Sequence, residues 1–230
     1  MANVIFSLMS KVPKTLIKLR IHSSIYYTPS LTFIANFSNL QELELSFDFE
    51  EYFVDFKKLQ YVIFSQLQVL KICHKLPSNG LLIKFLENNG KNLKEIYIGE
   101  IERCNDNLLN LAISNCKYLE SIKIWCGGSF LSEKQALETV VKYSQNINEL
   151  VLYHLYITQF ILLPKELESF FINWSNRVPQ KSLSLVIIVY LYEENTSLDK
   201  NDENIEIINK YIKLGVIKKF KVTDDYRYSI

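Results

Sequence analysis

Histidines, cysteines and one acidic run are the residues of this chain whose types could do chemistry. His22, His74 and His154 have the chemistry of metal ligands or general bases. Cys73, Cys104, Cys116 and Cys126 could act as nucleophiles, thiolate ligands or disulfide partners. No two of them stand in a C-x-x-C spacing, so neither a zinc site nor a disulfide framework is indicated. Glu42, Glu44, Asp48, Glu50 and Glu51 gather carboxylates, yet such a cluster is more often a solvated face than an acid–base pair. The G-x-S-x-G elbow, the P-loop, H-E-x-x-H and the dinucleotide fingerprint are all missing from the sequence. The expectation is a chain without catalysis, metal or cofactor.

Elements that would position these residues announce themselves by a hydrophobic hexad, apolar-x-x-apolar-x-apolar. It occurs at Leu16/Leu19/Ile21, Leu40/Leu43/Leu45, Leu67/Leu70/Ile72, Leu93/Ile96/Ile98, Leu119/Ile122/Ile124 and Ile147/Leu150/Leu152, recurring every 24 to 28 residues. That period reads as a stack of short strands, each returned by a helix or irregular segment. Helical signals fill the intervals. Leu81–Asn89 stops before Gly90, Asp106–Asn115 puts Leu108, Leu111 and Ala112 on one face, and Ser132 with Gln135 has the form of a capping box. Thr28-Pro29-Ser30 opens a further helical segment through Phe37. Strand–helix–strand at this period requires parallel neighbours. The predicted fold is α/β: a right-handed leucine-rich-repeat solenoid with a curved parallel sheet on the concave face and helices outside.

The chain reads as a single leucine-rich-repeat domain, 1–230, with repeats over about 13–175 and an irregular capping region over about 176–230. Within that region Leu183–Tyr190 has the composition of a strand, Glu203–Leu214 is a helix pattern ending at Gly215, and Ile217/Phe220/Val222 restores the hexad. Leu167/Phe170/Ile172 has hexad spacing and is expected to be another strand. His22, His74 and His154 each follow a hexad. Neighbouring strands lie about 4.8 Å apart, so histidines two and three repeats apart cannot share a metal.

Bulk properties exclude several classes. Net charge is +1, from 26 basic and 25 acidic side chains, which gives no general pull toward nucleic acid or an anionic membrane. Aromatic residues make up 13% and there are only 6 glycines, a composition unlike a disordered chain. Leu183–Tyr192, the longest apolar run, is about half the length a membrane helix needs. Val4–Met9 is too short for a secretory signal, so the N-x-S/T triplets at Asn36, Asn173 and Asn195 are not expected to be glycosylated. Free thiols in the cytoplasm or nucleus fit this picture.

The run Leu108–Cys126, LLNLAISNCKYLESIKIWC, resembles the cysteine-containing repeat of F-box leucine-rich-repeat proteins of the ribonuclease-inhibitor-like type. Asn39-Leu40, Asn92-Leu93 and Asn146-Ile147 echo the start of the same strands, and the Ile, Lys, Asn, Phe and Tyr usage is similar to that of fungal sets. The likeness covers roughly residues 13 to 225. It implies the substrate-recognition repeats of a ubiquitin-ligase receptor, with a stand-alone interaction protein as the alternative. The chain departs from the pattern in two ways. The ninth repeat position is Ser24, Asp48, Lys75, Ile101, Gly127 and Leu155 rather than Asn or Cys, and the F-box is absent before the first hexad. A Skp-type adaptor is therefore expected as partner only if a longer form carries that module. Leu163-Pro164-Lys165-Glu166-Leu167 resembles an F-box opening but also overlaps the Leu167/Phe170/Ile172 spacing.

Binding is expected on the strand residues that alternate with the hexad. One column reads Arg20, Glu44, Lys71, Tyr97, Lys123, Val151 and Phe171; the next reads His22, Ser46, Cys73, Gly99, Trp125, Tyr153 and Asn173. Tyr97, Trp125, Tyr153 and Phe171, flanked by Lys71 and Lys123, form a candidate aromatic patch for an unknown protein ligand.

Overall fold

A strand turns alternate side chains to opposite faces, and parallel strands hold a constant offset, so hexads in even spacing must stack their apolar residues in rows. The computed structural model describes residues 15–23, 30–99, 106–127, 131–143, 145–154, 162–189 and 197–224. Eight strands form one open sheet in chain order, all neighbours parallel. They are β1 (Lys18–Ser23), β2 (Glu42–Phe47), β3 (Val69–His74), β4 (Glu95–Ile98), β5 (Ser121–Cys126), β6 (Glu149–His154), β7 (Leu183–Val189) and β8 (Ile217–Asp224). Register aligns Leu19, Leu43, Leu70, Ile96, Ile122 and Leu150 in one row and Ile21, Leu45, Ile72, Ile98, Ile124 and Leu152 in the next. From β2 onward these side chains are buried in a continuous core.

Connections return through α1 (Phe56–Leu59), α2 (Asn79–Asn89), α3 (Asp106–Ser114), α4 (Glu133–Tyr143), α5 (Pro164–Ser175) and α6 (Asp202–Lys213), with single 3₁₀ turns at Thr32–Asn36 and Glu50–Phe53 in the first two repeats. The chain is thus an α/β leucine-rich-repeat solenoid. Helix starts obey local chemistry. Ser132 and Gln135 form the reciprocal capping box: Gln135 N donates to Ser132 Oγ at 3.2 Å and Ser132 N to Gln135 Oε1 at 2.9 Å. Between Thr28 and Phe37 the described part is only the 3₁₀ turn, rather than the longer helix expected.

Asparagines stitch the repeats where strands begin. Asn92 Nδ2 donates to Ser65 O at 2.9 Å and Asn146 Nδ2 to Lys117 O at 2.8 Å. The buried Asn89 accepts from Phe64 N at 2.7 Å and donates to Val62 O and Phe85 O. Gly99 ends β4 at Ile98: its N–H donates to Ile72 O at 2.7 Å, and a Cβ there would lie 2.6 Å from His74 N. Only glycine admits so close a backbone approach.

Two expectations change. Leu167/Phe170/Ile172 is not a strand but part of α5. Pro164 begins a helix without loss because a first-turn N–H has no partner to miss, and Leu163 N donates to Glu166 Oε2 at 3.1 Å. Leu167, Phe170, Phe171 and Trp174 then share one helical face toward the core. The strand of that repeat is β7, and with β8 it continues the sheet in the same parallel sense, so regular pairing does not stop at residue 175.

Candidate functional site

The faces of β1–β6 turned away from the core carry three rows. Lys18, Glu42, Val69, Glu95, Ser121 and Glu149 share one register; Arg20, Glu44, Lys71, Tyr97, Lys123 and Val151 share the second. His22, Ser46 and Cys73 begin the third, which resumes with Trp125 and Tyr153. Charges alternate across the strands as a ladder. Lys18 Nζ lies 2.8 Å from Glu42, Lys71 Nζ lies 3.2 Å from Glu42 and 4.0 Å from Glu95, and Lys123 Nζ lies 2.6 Å from Glu95. Arg20 pairs separately with Glu44 at 2.8 Å, and Ser121 Oγ donates to Glu149 at 2.7 Å. Partial burial works to raise the Glu42 carboxyl, but the ammonium groups of Lys18 and Lys71 outweigh it and hold it below the usual range. Pairs that stay partly open to solvent add little stability, commonly about 0–1 kcal/mol each. Their effect is to fix the head groups in position.

The aromatic half differs from expectation. Trp125 stacks on Tyr153 with ring centroids 5.1 Å apart, Tyr97 meets Tyr153 edge-on at 5.4 Å, and Trp125 Nε1 donates to Tyr97 Oη at 2.8 Å. Together with Cys73 and Ile188 they make a second apolar cluster across the sheet from the main core. Trp125 is 5% exposed and Tyr97 9%, so neither ring is an open surface platform. Lys71, Lys123 and Tyr153 line a shallow hollow of about 510 Å³ together with Arg20, His22 and Glu44. Phe171 is elsewhere: it is buried on α5 and stacked on Tyr211 at 4.8 Å, because it belongs to a helix face and not to a strand. Asn173 leaves the column with it.

Sequence reading named Lys71, Tyr97, Lys123, Trp125 and Tyr153, and the sheet does bring these five together. It missed the row of Lys18, Glu42, Glu95 and Glu149. The signal was present, since these residues sit two positions before the named column and share its alternation.

A second constellation lies on the core side. His154, opposite Cys126 in register, is buried, with Nε2 3.1 Å from Glu133 Oε1 but off the hydrogen-bonding direction. Leu198 N donates to the same carboxylate oxygen at 2.9 Å. His154 is therefore a core residue at the end of β6. Thiol, imidazole and carboxylate are the types of a nucleophilic triad, yet all three are closed to solvent. Burial, with the Glu133 charge beside it, also pushes the Cys126 thiol well up.

Burial raises the Cys116 thiol to about 12 and, with help from Glu44, the Cys73 thiol to about 11. A maleimide or disulfide reagent should modify Cys73, Cys116 and Cys126 at least about ten-fold more slowly in the native chain than in denaturant. Mass spectrometry of timed samples reads this directly, and rapid native labelling of Cys126 would contradict its placement. Cys104 lies outside the described residues. No group of histidine, cysteine and carboxylate ligands suited to a metal occurs among the described residues, and no described helix is long and apolar enough to cross a membrane.

No protein-family signature matches the chain, and no curated protein matches it. Among solved structures the chain is similar to the leucine-rich repeat-containing protein LegL7 from Legionella pneumophila. That likeness has a TM-score of 0.44 and 10% identity, covering 98% of this chain and 79% of LegL7.

Proposed function

We propose that this chain is a non-enzymatic protein-binding scaffold that receives its partner on the concave face between Arg20 and Tyr153. The observation that carries the reading is the ladder Lys18–Glu42–Lys71–Glu95–Lys123 bordering an open hollow. Its head groups are already held by their neighbours, so a polar partner meets a preorganised surface and loses less side-chain entropy on binding. Alternating sign along the row favours register and partner choice over raw affinity.

The finer reading is the substrate-recognition region of an F-box-type ubiquitin-ligase receptor, working in the cytoplasm or nucleus. It is supported by the resemblance at residues 108–126. In this reading a Skp-type adaptor joins only through an F-box on a longer form. A stand-alone interaction protein shares the same concave face without the ligase role.

A phage-displayed random peptide library panned on the purified chain tests the site. Selected binders should lose about ten-fold in affinity to a Lys71→Gln/Lys123→Gln chain, and Ile172→Lys, on the exposed side of α5, should leave them unchanged. Binders indifferent to the lysine pair would remove the concave face as the site. A purified Skp-type adaptor should not be captured by this chain. Capture at about micromolar affinity would refute that and return attention to Leu163–Leu167.

A further inference from the structure

We propose that the outer edge of β1, which no other described strand pairs, docks an extended partner strand in which acidic residues alternate with aliphatic ones. This site shares Lys18 and Arg20 with the border of the concave hollow but takes its partner along the strand edge, and it does not rest on the reading above.

The backbone geometry comes first. In a parallel pair, alternate residues turn both their N–H and C=O toward one neighbour. Ile17 O accepts from Gln41 N at 2.7 Å and Glu42 N at 2.9 Å, so the odd-numbered residues of β1 bond toward β2. Lys18, Arg20 and His22 therefore turn their backbone groups outward, at the end of the sheet. Such an edge is a template for strand addition.

The side chains at this edge are incomplete in a matching way. Leu43 and Leu45 of β2 are fully buried, whereas their β1 counterparts Leu19 and Ile21 are only partly covered and Ile17 is exposed. On the other face, Lys18 and Arg20 keep 54% and 60% of their side chains exposed even while paired with Glu42 and Glu44. The inner neighbour shows what this edge accepts. β2 reads Glu-Leu-Glu-Leu, with carboxylates against the basic groups and leucines in the core.

Charge excludes other occupants. A second copy adding β1 to β1 would set Lys18, Arg20 and His22 against one another. Head-to-tail stacking fares no better, because Lys219 and Lys221 of β8 continue the rows of Lys18 and Arg20 through Ser184 and Val186. Like charges directly opposite across strands are destabilising. Residues 1–14 and 24–29 of the chain itself hold Lys11 and Lys14 and no acidic residue, so they lack the complementary pattern.

The test uses fluorescein-labelled Gln-Glu-Leu-Glu-Leu-Ser-Phe-Asp, the sequence of β2 with its flanks, titrated with the full chain and read by anisotropy. It should bind at least about ten-fold more tightly than a copy with both glutamates replaced by lysine. Arg20→Pro removes an outward N–H that β2 does not use, a change edge strands tolerate. It should weaken the acidic peptide about ten-fold, as should Lys18→Gln/Arg20→Gln, which keeps the backbone and removes the charge. Hydrogen exchange should slow at Lys18, Arg20 and His22 when peptide is added. Equal affinity for the two peptides, no binding at about 1 mM, or protection confined to β4–β6 would each overturn the proposal. So would a dimer of the chain alone that acidic peptide fails to disperse. If Arg20→Pro proves unfolded by circular dichroism, the glutamine pair decides.

Discussion

A His154→Leu chain should lose about 1–3 kcal/mol of unfolding free energy, a large effect for a single change among the buried polar groups. The side chain is replaced by one of similar bulk, so cavity formation is small and the loss falls on Glu133, left buried without its basic neighbour. Glu133→Leu should be as damaging for a different reason. It strands the imidazole and also removes the acceptor of Leu198 N, whose buried N–H then adds about 1–3 kcal/mol. Through that bond the carboxylate ties the segment before α6 to the first turn of α4, so a change at Glu133 should also speed hydrogen exchange around Leu198. The double variant is the informative one. Replacing both partners leaves no orphaned ionisable group, and its cost should fall clearly below the two single costs added together. Urea unfolding of the four chains completes the cycle. Single substitutions costing under about 1 kcal/mol would show that the 3.1 Å approach of His154 to Glu133 contributes little.

The parallel sheet was legible because two periodicities reinforce each other. Alternation selects the core face, and even spacing selects neighbours, so Arg20, Glu44, Lys71, Tyr97, Lys123 and Val151 fall into one row as their spacing implied. The same hexad misleads at Leu167, because Leu167 and Phe170 satisfy a helical face with Phe171 and Trp174 as well as a strand pattern with Ile172. Pro164 and Glu166 decide for helix. His154 and Glu133 were unreadable as a pair, since nothing in local spacing links the end of β6 to the start of α4. Alternation also reports which face a side chain occupies, never what else lies on that face. That is why Trp125 could be placed across the sheet from the main core and still not be foreseen as buried.

Trp125→Ala accordingly should be a stability variant before it is a binding variant. An indole at 5% exposure, stacked on Tyr153 and bonded to Tyr97, behaves as core, and truncating such a side chain costs about 3–5 kcal/mol. Tyr97→Phe keeps the ring packing and removes the acceptor of the indole N–H, for about 1 kcal/mol. Urea unfolding separates the two magnitudes, and tryptophan emission gives a spectroscopic check. The chain has two tryptophans, Trp125 and the fully buried Trp174, so a native Trp174→Phe chain should show the blue-shifted emission of a shielded Trp125. Glu44→Ala, which breaks only the half-exposed pair with Arg20, should change stability by less than about 1 kcal/mol. A Trp125→Ala chain as stable as the parent, with red-shifted indole emission in Trp174→Phe, would mean the ring stands open to solvent. The aromatic cluster would then be contact surface, and the partner would be held by stacking on Trp125 and Tyr153 rather than by the charged rows beside them.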